Sequence, residues 1–121
     1  MRREPMIAVD IELRAIGGDG ARALHNVAVD ASTCYSWIPA SVLSALGITG
    51  VRADRFAFRD GTVVEREVGF ALVRVGERDA PTVVVFARAN DPTTLGAHAL
   101  SGLGLMPGAQ GLADSGPHVA A

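Results

Sequence analysis

Apolar and charged residues alternate one by one near the start of the chain, in the segment MIAVDIELRAI at residues 6–16. One face of this segment would be apolar and the other charged: Ile7, Val9, Ile11 and Leu13 against Asp10, Glu12 and Arg14. A period of two predicts a β-strand with one buried and one solvated face. The sequence GGDGAR at residues 17–22 is typical of a hairpin loop, so a partner strand is expected to return and to end at Asp30.

Further alternating segments extend this β character. Residues 51–76, VRADRFAFRDGTVVEREVGFALVRVG, predict a second hairpin with Asp60 and Gly61 in its turn and a long strand from about Val63 to Val75. The unbroken TVVVFA at residues 82–87 predicts a strand that is buried on both faces. With 121 residues, of which 49% are apolar, the chain is expected to form one domain around a single core.

Two short helices are expected among these strands. Pro39 stands where the first would begin, and AHALSGLG, from Ala97, fits the second. The segments SALGI at 44–48 and SGLGL at 101–105 each end one of these helices. This echo indicates a domain built from two similar strand-turn-helix halves.

Charge and composition narrow the classes of partner. The formal net charge is −2, and the eleven basic residues, all arginine, are spread along the chain, so we expect no nucleic-acid partner and no membrane partner. No apolar stretch approaches the roughly 18 residues of a membrane span, and the protein is interpreted as soluble and cytoplasmic. The single cysteine, Cys34, is interpreted as a buried, inert thiol. The three histidines form no recognisable metal-ligand pattern, and no metal is expected.

The order of these elements is similar to that of a known family. An alternating hairpin, VAVD with small residues after it, WIPASVLSALGI, a hairpin ending in RDG, VVVF and TTLGAHALSGLGL follow one another. This order resembles the retropepsin-like aspartic proteases, in particular their small bacterial single-domain members, over about residues 6–106. The resemblance implies a mostly β fold, a retropepsin-like closed β-barrel or acid-protease half with two short helices. It places that domain at residues 1–106, followed by a flexible tail at 107–121.

The resemblance also implies a site. Asp30 would be the catalytic residue, each subunit of a homodimer giving one carboxylate to a shared water, with no cofactor. The hairpin that carries Arg59, Asp60 and Gly61 would form a flap over a bound peptide or protein substrate.

The family motif Asp-Thr-Gly-Ala/Ser is altered to Asp30-Ala31-Ser32-Thr33. Ala31 lacks the hydroxyl that links the two loops across the family's dimer, which implies a weaker dimer. Ser32 would bring a Cβ close to the carboxylate, at extra cost if its φ is positive. The Thr33 hydroxyl is expected to take the place of the family's serine beside the carboxylate.

Three interpretations remain open at this point. The chain is an aspartic endopeptidase, or a pseudoenzyme of the same fold that binds a peptide or partner segment in the same cleft. In the third, it is another small β-rich interaction module or a toxin–antitoxin-like module, and Asp30 is a structural residue that bonds its own loop.

Overall fold

Strands dominate the computed structural model, which describes residues 7–118 and residue 120. The elements in chain order are β1 (Ala8–Arg14), β2 (Ala21–Val29), β3 (Ser36–Pro39), α1 (Ala40–Ala45), β4 (Arg52–Ala57), β5 (Val63–Val75), β6 (Arg78–Ala87), β7 (Thr94–Leu95), α2 (Ala97–Leu103), β8 (Leu105–Gly108) and β9 (Gly111–Asp114). The predicted mostly β fold with two short helices is confirmed.

Seven of the strands form one sheet, in the order β1-β2-β7-β3-β6-β5-β4. Strand β1 also pairs with β5 in antiparallel fashion, which bends the sheet into a ring. Strand β4 lies beyond this closure and pairs only with β5 among the described strands. Of the predicted closed barrel, the structure shows a ring-like sheet with one edge strand, β4.

The two halves of the chain are interlocked by a reciprocal pair of parallel strand contacts. Strand β2 of the first half pairs with β7 of the second, and β6 of the second half pairs with β3 of the first. Each half runs from strand to loop to short strand to helix, and each helix is followed closely by a left-handed glycine, Gly47 with φ 77° and Gly104 with φ 69°. These pairings agree with the internal echo that the sequence contains.

The main core lies where the two helices pack against the strands of the ring. Leu13, Ile38, Leu43 and Leu95 are among its fully buried side chains. Residues 84–87 of β6 are all buried, as predicted for a strand covered on both faces. A second, smaller cluster centres on Trp37.

Helix α1 begins directly after Pro39, the residue at which it was expected to start. It has six residues, and Pro39 is its N-cap, in an extended conformation with φ −51° and ψ 130°, rather than part of its first turn. Pro39 instead ends β3, a four-residue strand that the sequence did not reveal. Neither helix of the described chain has the length and apolar character needed to cross a membrane.

A C-terminal hairpin of β8 and β9 forms a separate two-stranded sheet. The Arg78 guanidinium holds it, donating to the carbonyls of Leu103 (3.1 Å) and Gly104 (2.8 Å) and to the Asp114 carboxylate (2.6 Å). The predicted boundary at residue 106 falls inside β8, and the flexibility of residues 107–121 stays a prediction. The predicted domain and tail include three parts outside the described residues: residues 1–6, 119 and 121. Met6 of the first predicted strand is among them.

Candidate active site

Asp30 directly follows β2, on the loop of residues 30–35 that leads to β3. Its backbone N–H donates to the Leu95 carbonyl of β7 at 3.0 Å. Its own carbonyl accepts bonds from the Thr33 N–H at 3.3 Å and from the Thr33 hydroxyl at 3.0 Å. The position of the half-buried Asp30 is therefore fixed through its backbone.

The second half of the chain holds this loop from the other side. The Thr33 carbonyl accepts a bond from Ala97 N at 2.8 Å, and Gly96 N donates to the buried Ser36 hydroxyl at 2.9 Å. A Cβ at Gly96 would overlap the Tyr35 carbonyl oxygen, so only glycine permits this close approach. Gly96 is the last residue of TTLG at 93–96, a short sequence that predicts little by itself. This contact explains why glycine is needed at its end.

One oxygen of the Asp30 carboxylate is engaged within the loop. Oδ1 accepts a bond from the Ser32 N–H at 3.0 Å and another from the Ser32 hydroxyl at 2.5 Å. The first of these is an Asx turn, in which an aspartate bonds its own loop two residues on. Oδ2 accepts no hydrogen bond from the described residues. The carboxylate is thus oriented by one oxygen while the other stays open to a water or a ligand.

The three residues after Asp30 differ in part from what the motif predicted. Ser32 does not have a positive φ, so its backbone avoids the predicted cost, and its N–H still reaches the carboxylate. The expectation for Thr33 is wrong, because its hydroxyl donates to the Asp30 backbone carbonyl and the hydroxyl on the carboxylate belongs to Ser32. Ala31 is exposed and, as the sequence requires, offers no hydroxyl.

The hairpin between β4 and β5 ends in a tight turn. Gly61 N donates to the Phe58 carbonyl at 3.0 Å, and Phe58 N donates to the Thr62 carbonyl at 2.8 Å, with Gly61 at φ 90°. The Asp60 carboxylate accepts the Thr62 N–H at 2.8 Å, and this bond lowers the pKa of Asp60 below its usual range. Asp60 and Gly61 therefore build the turn, as a hairpin of this sequence requires.

Arg59 is the residue of this turn that reaches the Asp30 loop. Its Nη2 donates to the Ser32 hydroxyl at 3.5 Å, across 27 positions of sequence, and that hydroxyl in turn donates to Asp30. The contact places the hairpin tip on the same side of the domain as Asp30. Arg59 lines the space next to the carboxylate, whereas Asp60 and Gly61 do not.

A cleft of about 680 Å³ lies between the Asp30 loop, strand β4 and the hairpin. Its apolar wall consists of aromatic rings that meet edge to face or tilted. The Trp37 ring centroid lies 5.1 Å from that of Phe56 and 5.6 Å from that of Phe58, and Tyr35 lies 6.3 Å from Phe56. An aromatic-walled cleft with one partly free carboxylate at its side is suited to a chain segment that carries bulky apolar residues.

The other charges of the cleft are on strand β4. Asp54 accepts a bond from Arg52 Nε at 3.0 Å, which raises the pKa of the guanidinium. Arg55 lies opposite Glu65 in the pairing of β4 with β5. The Arg52–Asp54 pair neutralises part of the charge on β4, whereas Arg55 has no carboxylate within ion-pair distance among the described residues.

Neither a scan against models of protein families nor a search of curated proteins finds a match for this chain.

Cys34 is exposed and lines the cleft, so the interpretation of it as a buried thiol is wrong. The reason is its place on the loop after Asp30, where its carbonyl accepts the His98 N–H at 3.0 Å and its side chain faces outward. The His98 ring stands edge-on to Tyr35 at 5.7 Å. Within the described residues, no three side chains of the metal-binding types come together in a possible metal site.

A partly buried ion pair on the counterpart loop, residues 88–93, is a feature that the sequence patterns did not reveal. Arg66 of β5 binds Asp91 through two bonds, Nε to Oδ2 at 2.7 Å and Nη2 to Oδ1 at 3.1 Å. Asp91 Oδ2 also accepts the Arg88 N–H at 2.8 Å, and these bonds, that of Arg66 foremost, lower the pKa of Asp91. The internal echo was the available signal, because it makes residues 88–93 the equivalent of the loop that holds Asp30.

Proposed function

We propose that this chain is an aspartic endopeptidase that works as a homodimer, with Asp30 as the catalytic residue of each subunit. The observation that carries the proposal is the position of Asp30 beside the aromatic cleft, beneath a hairpin whose Arg59 reaches the same loop. A β-rich domain with an aspartate on the first strand-to-helix loop and a hairpin above it agrees with the family resemblance in the sequence.

The chemistry requires two such carboxylates. A water held between two carboxylates that share one proton loses a proton to one of them as it attacks the scissile carbonyl carbon. The other carboxyl gives its proton to the carbonyl oxygen, and the tetrahedral adduct then breaks its C–N bond as the amine takes up a proton. In this proposal Ser32 holds Asp30 Oδ1 and Oδ2 faces the water.

One chain contributes a single Asp30, so a twofold axis must supply the second. An isologous contact between two copies would bring both Asp30 loops to the axis. Two carboxyl groups about 3 Å apart cannot both be ionised. The pair therefore shares one proton and is expected to be active at acidic pH. Because Ala31 cannot link the loops, the dimer is expected to be weak and the activity to fall on dilution.

Strand β4 supplies a second feature suited to a peptide. It is an edge strand of the described sheet and its residues from Asp54 to Ala57 line the cleft. The backbone groups on a free edge can pair with an extended segment, while the aromatic wall takes its side chains.

A pseudoenzyme that binds a peptide or partner segment in the same cleft is the second candidate. Ser32 favours it, because its hydroxyl occupies Oδ1 at 2.5 Å and bridges the carboxylate to Arg59. In this case the cleft and the dimer persist and only the hydrolysis is lost.

The deciding experiment incubates concentrated protein with a proteome-derived peptide mixture from about pH 4 to pH 7. Mass spectrometry then compares the cleavage products with those of Asp30→Asn. Cuts that disappear in the variant support the protease. Equal backgrounds in both proteins exclude it, and the Ala31→Thr, Ser32→Gly double variant then tests whether these two positions alone had silenced the site.

A further inference from the structure

Arg59 combines a fixed position with a weakly bound charge. It occupies the hairpin turn, whose shape is fixed by backbone bonds at 2.8 Å and 3.0 Å. Among the described residues, the one hydrogen bond of the guanidinium is to the neutral Ser32 hydroxyl, at 3.5 Å, near the limit of such a bond. No carboxylate of the described residues lies within ion-pair distance of it.

Among the neighbouring charges, the two carboxylates have partners of their own. Asp54 is bound by Arg52, and the Asp60 carboxylate accepts the Thr62 N–H. Arg55 stands opposite Glu65 in the strand pairing, but their side chains are farther apart than an ion pair. Arg59 differs from Arg55, the other cleft arginine, in lying beside the Asp30 loop, where its guanidinium reaches Ser32 and can meet a carboxylate that a ligand brings.

The surroundings of Arg59 define what else that ligand carries. Phe58, the preceding residue, tilts against Trp37 at 5.6 Å between ring centroids, and Phe56 extends the same wall. A bulky apolar side chain therefore fits beside the guanidinium. The planar guanidinium of arginine can bind a carboxylate through two parallel hydrogen bonds. The single bond to the Ser32 hydroxyl at 3.5 Å is weaker than that arrangement.

We propose that Arg59 determines specificity by binding an acidic side chain of the peptide, next to a bulky apolar residue that packs on the aromatic wall. This inference rests on the proposed function, since it needs a peptide in the cleft. Binding of the acid would also draw Arg59 away from Ser32 and so clear the approach to Asp30.

The test uses the Asp30→Asn protein, in which binding is measured without cleavage. The probes are fluorescent octapeptides with a central Phe, in which Glu, Gln or Lys is placed in turn at each position near the Phe. We expect the best Glu peptide to bind about tenfold or more tightly than its Gln counterpart in fluorescence anisotropy. High salt should reduce this preference.

Substitutions at Arg59 supply the decisive comparison. Arg59→Ala should abolish the preference for Glu, and Arg59→Glu should reverse it in favour of Lys. Arg59 lies on an exposed turn, so both variants are expected to fold, which circular dichroism checks. The matched control is Arg22→Ala, which removes an exposed arginine outside the cleft and should leave the preference unchanged.

The outcomes separate this inference from the function beneath it. If peptides bind with no dependence on charge, or if Arg55→Ala removes the preference while Arg59→Ala does not, the role of Arg59 is refuted and the peptide cleft stands. If none of the peptides binds at any concentration, the proposed function fails and this inference fails with it.

Discussion

The ion pair between Arg66 and Asp91 predicts a large loss of stability when Asp91 is replaced by alanine. The side chains are 11% and 7% exposed, and the carboxylate accepts two bonds from Arg66 and one from the Arg88 N–H. Asp91→Ala would leave the Arg66 guanidinium nearly buried without its anion. Breaking such a pair costs about 3 kcal/mol of the free energy of unfolding.

Urea unfolding at pH 7, followed by tryptophan fluorescence and extrapolated to water, measures this loss. Glu12→Gln is the matched control, because Glu12 and Arg14 form an ion pair of similar length, 2.9 Å, whose side chains are about 40% exposed. An exposed pair contributes roughly 0.5 kcal/mol. If Asp91→Ala costs no more than Glu12→Gln, the argument that burial makes this pair a structural anchor is wrong.

The same pair predicts a pH dependence with a definite sign. The Arg66 bonds lower the pKa of Asp91 in the folded state, so the unfolded chain takes up the proton first as the solution is acidified. The stabilisation from Asp91 is therefore complete above the unfolded pKa of about 3.9 and is lost as the pH falls through the lower folded value. The difference between the urea midpoints of wild type and Asp91→Asn should shrink as the pH falls below about 3.9. A difference that stays constant from pH 7 to pH 3 would contradict the linkage.

Three further predictions concern single positions. Gly96→Ala should lower the free energy of unfolding by about 3 kcal/mol or more, because the added Cβ meets a backbone carbonyl. Gly20→Ala is the control and should cost little, because its Cβ would meet only a side-chain carbon at 3.9 Å. Equal shifts of the thermal midpoint in the two variants would refute the steric argument. Arg78→Ala should speed amide hydrogen exchange in residues 105–114 without affecting the ring-like sheet, and unchanged protection there would show that other contacts hold the hairpin. Ala31→Thr should strengthen the proposed dimer by about 1 kcal/mol per subunit, roughly 30-fold in Kd, and an unchanged Kd in analytical ultracentrifugation would exclude a cross-dimer bond at this position.

The elements that the sequence predicted well depend on neighbouring residues. Strand β5 runs from Val63 to Val75 and α2 begins at Ala97, both as expected. The alternation of apolar residues and the Asp-Gly turn act over two to five positions, so they can be read from the chain directly. The place of Asp30 between β2 and α1 follows from the same local signals.

What only the tertiary structure decided concerns contacts between segments far apart in the chain. The short strands β3 and β7 carry too few residues to show a period and exist because the two halves of the chain pair with each other. The exposure of Cys34, the hydroxyl of Ser32 on Asp30, and the meeting of Arg59 with that hydroxyl depend on how the loop and the hairpin are held. A sequence lists the side chains available to a site, but the direction in which each one points is set by the packing of strands that lie tens of residues away.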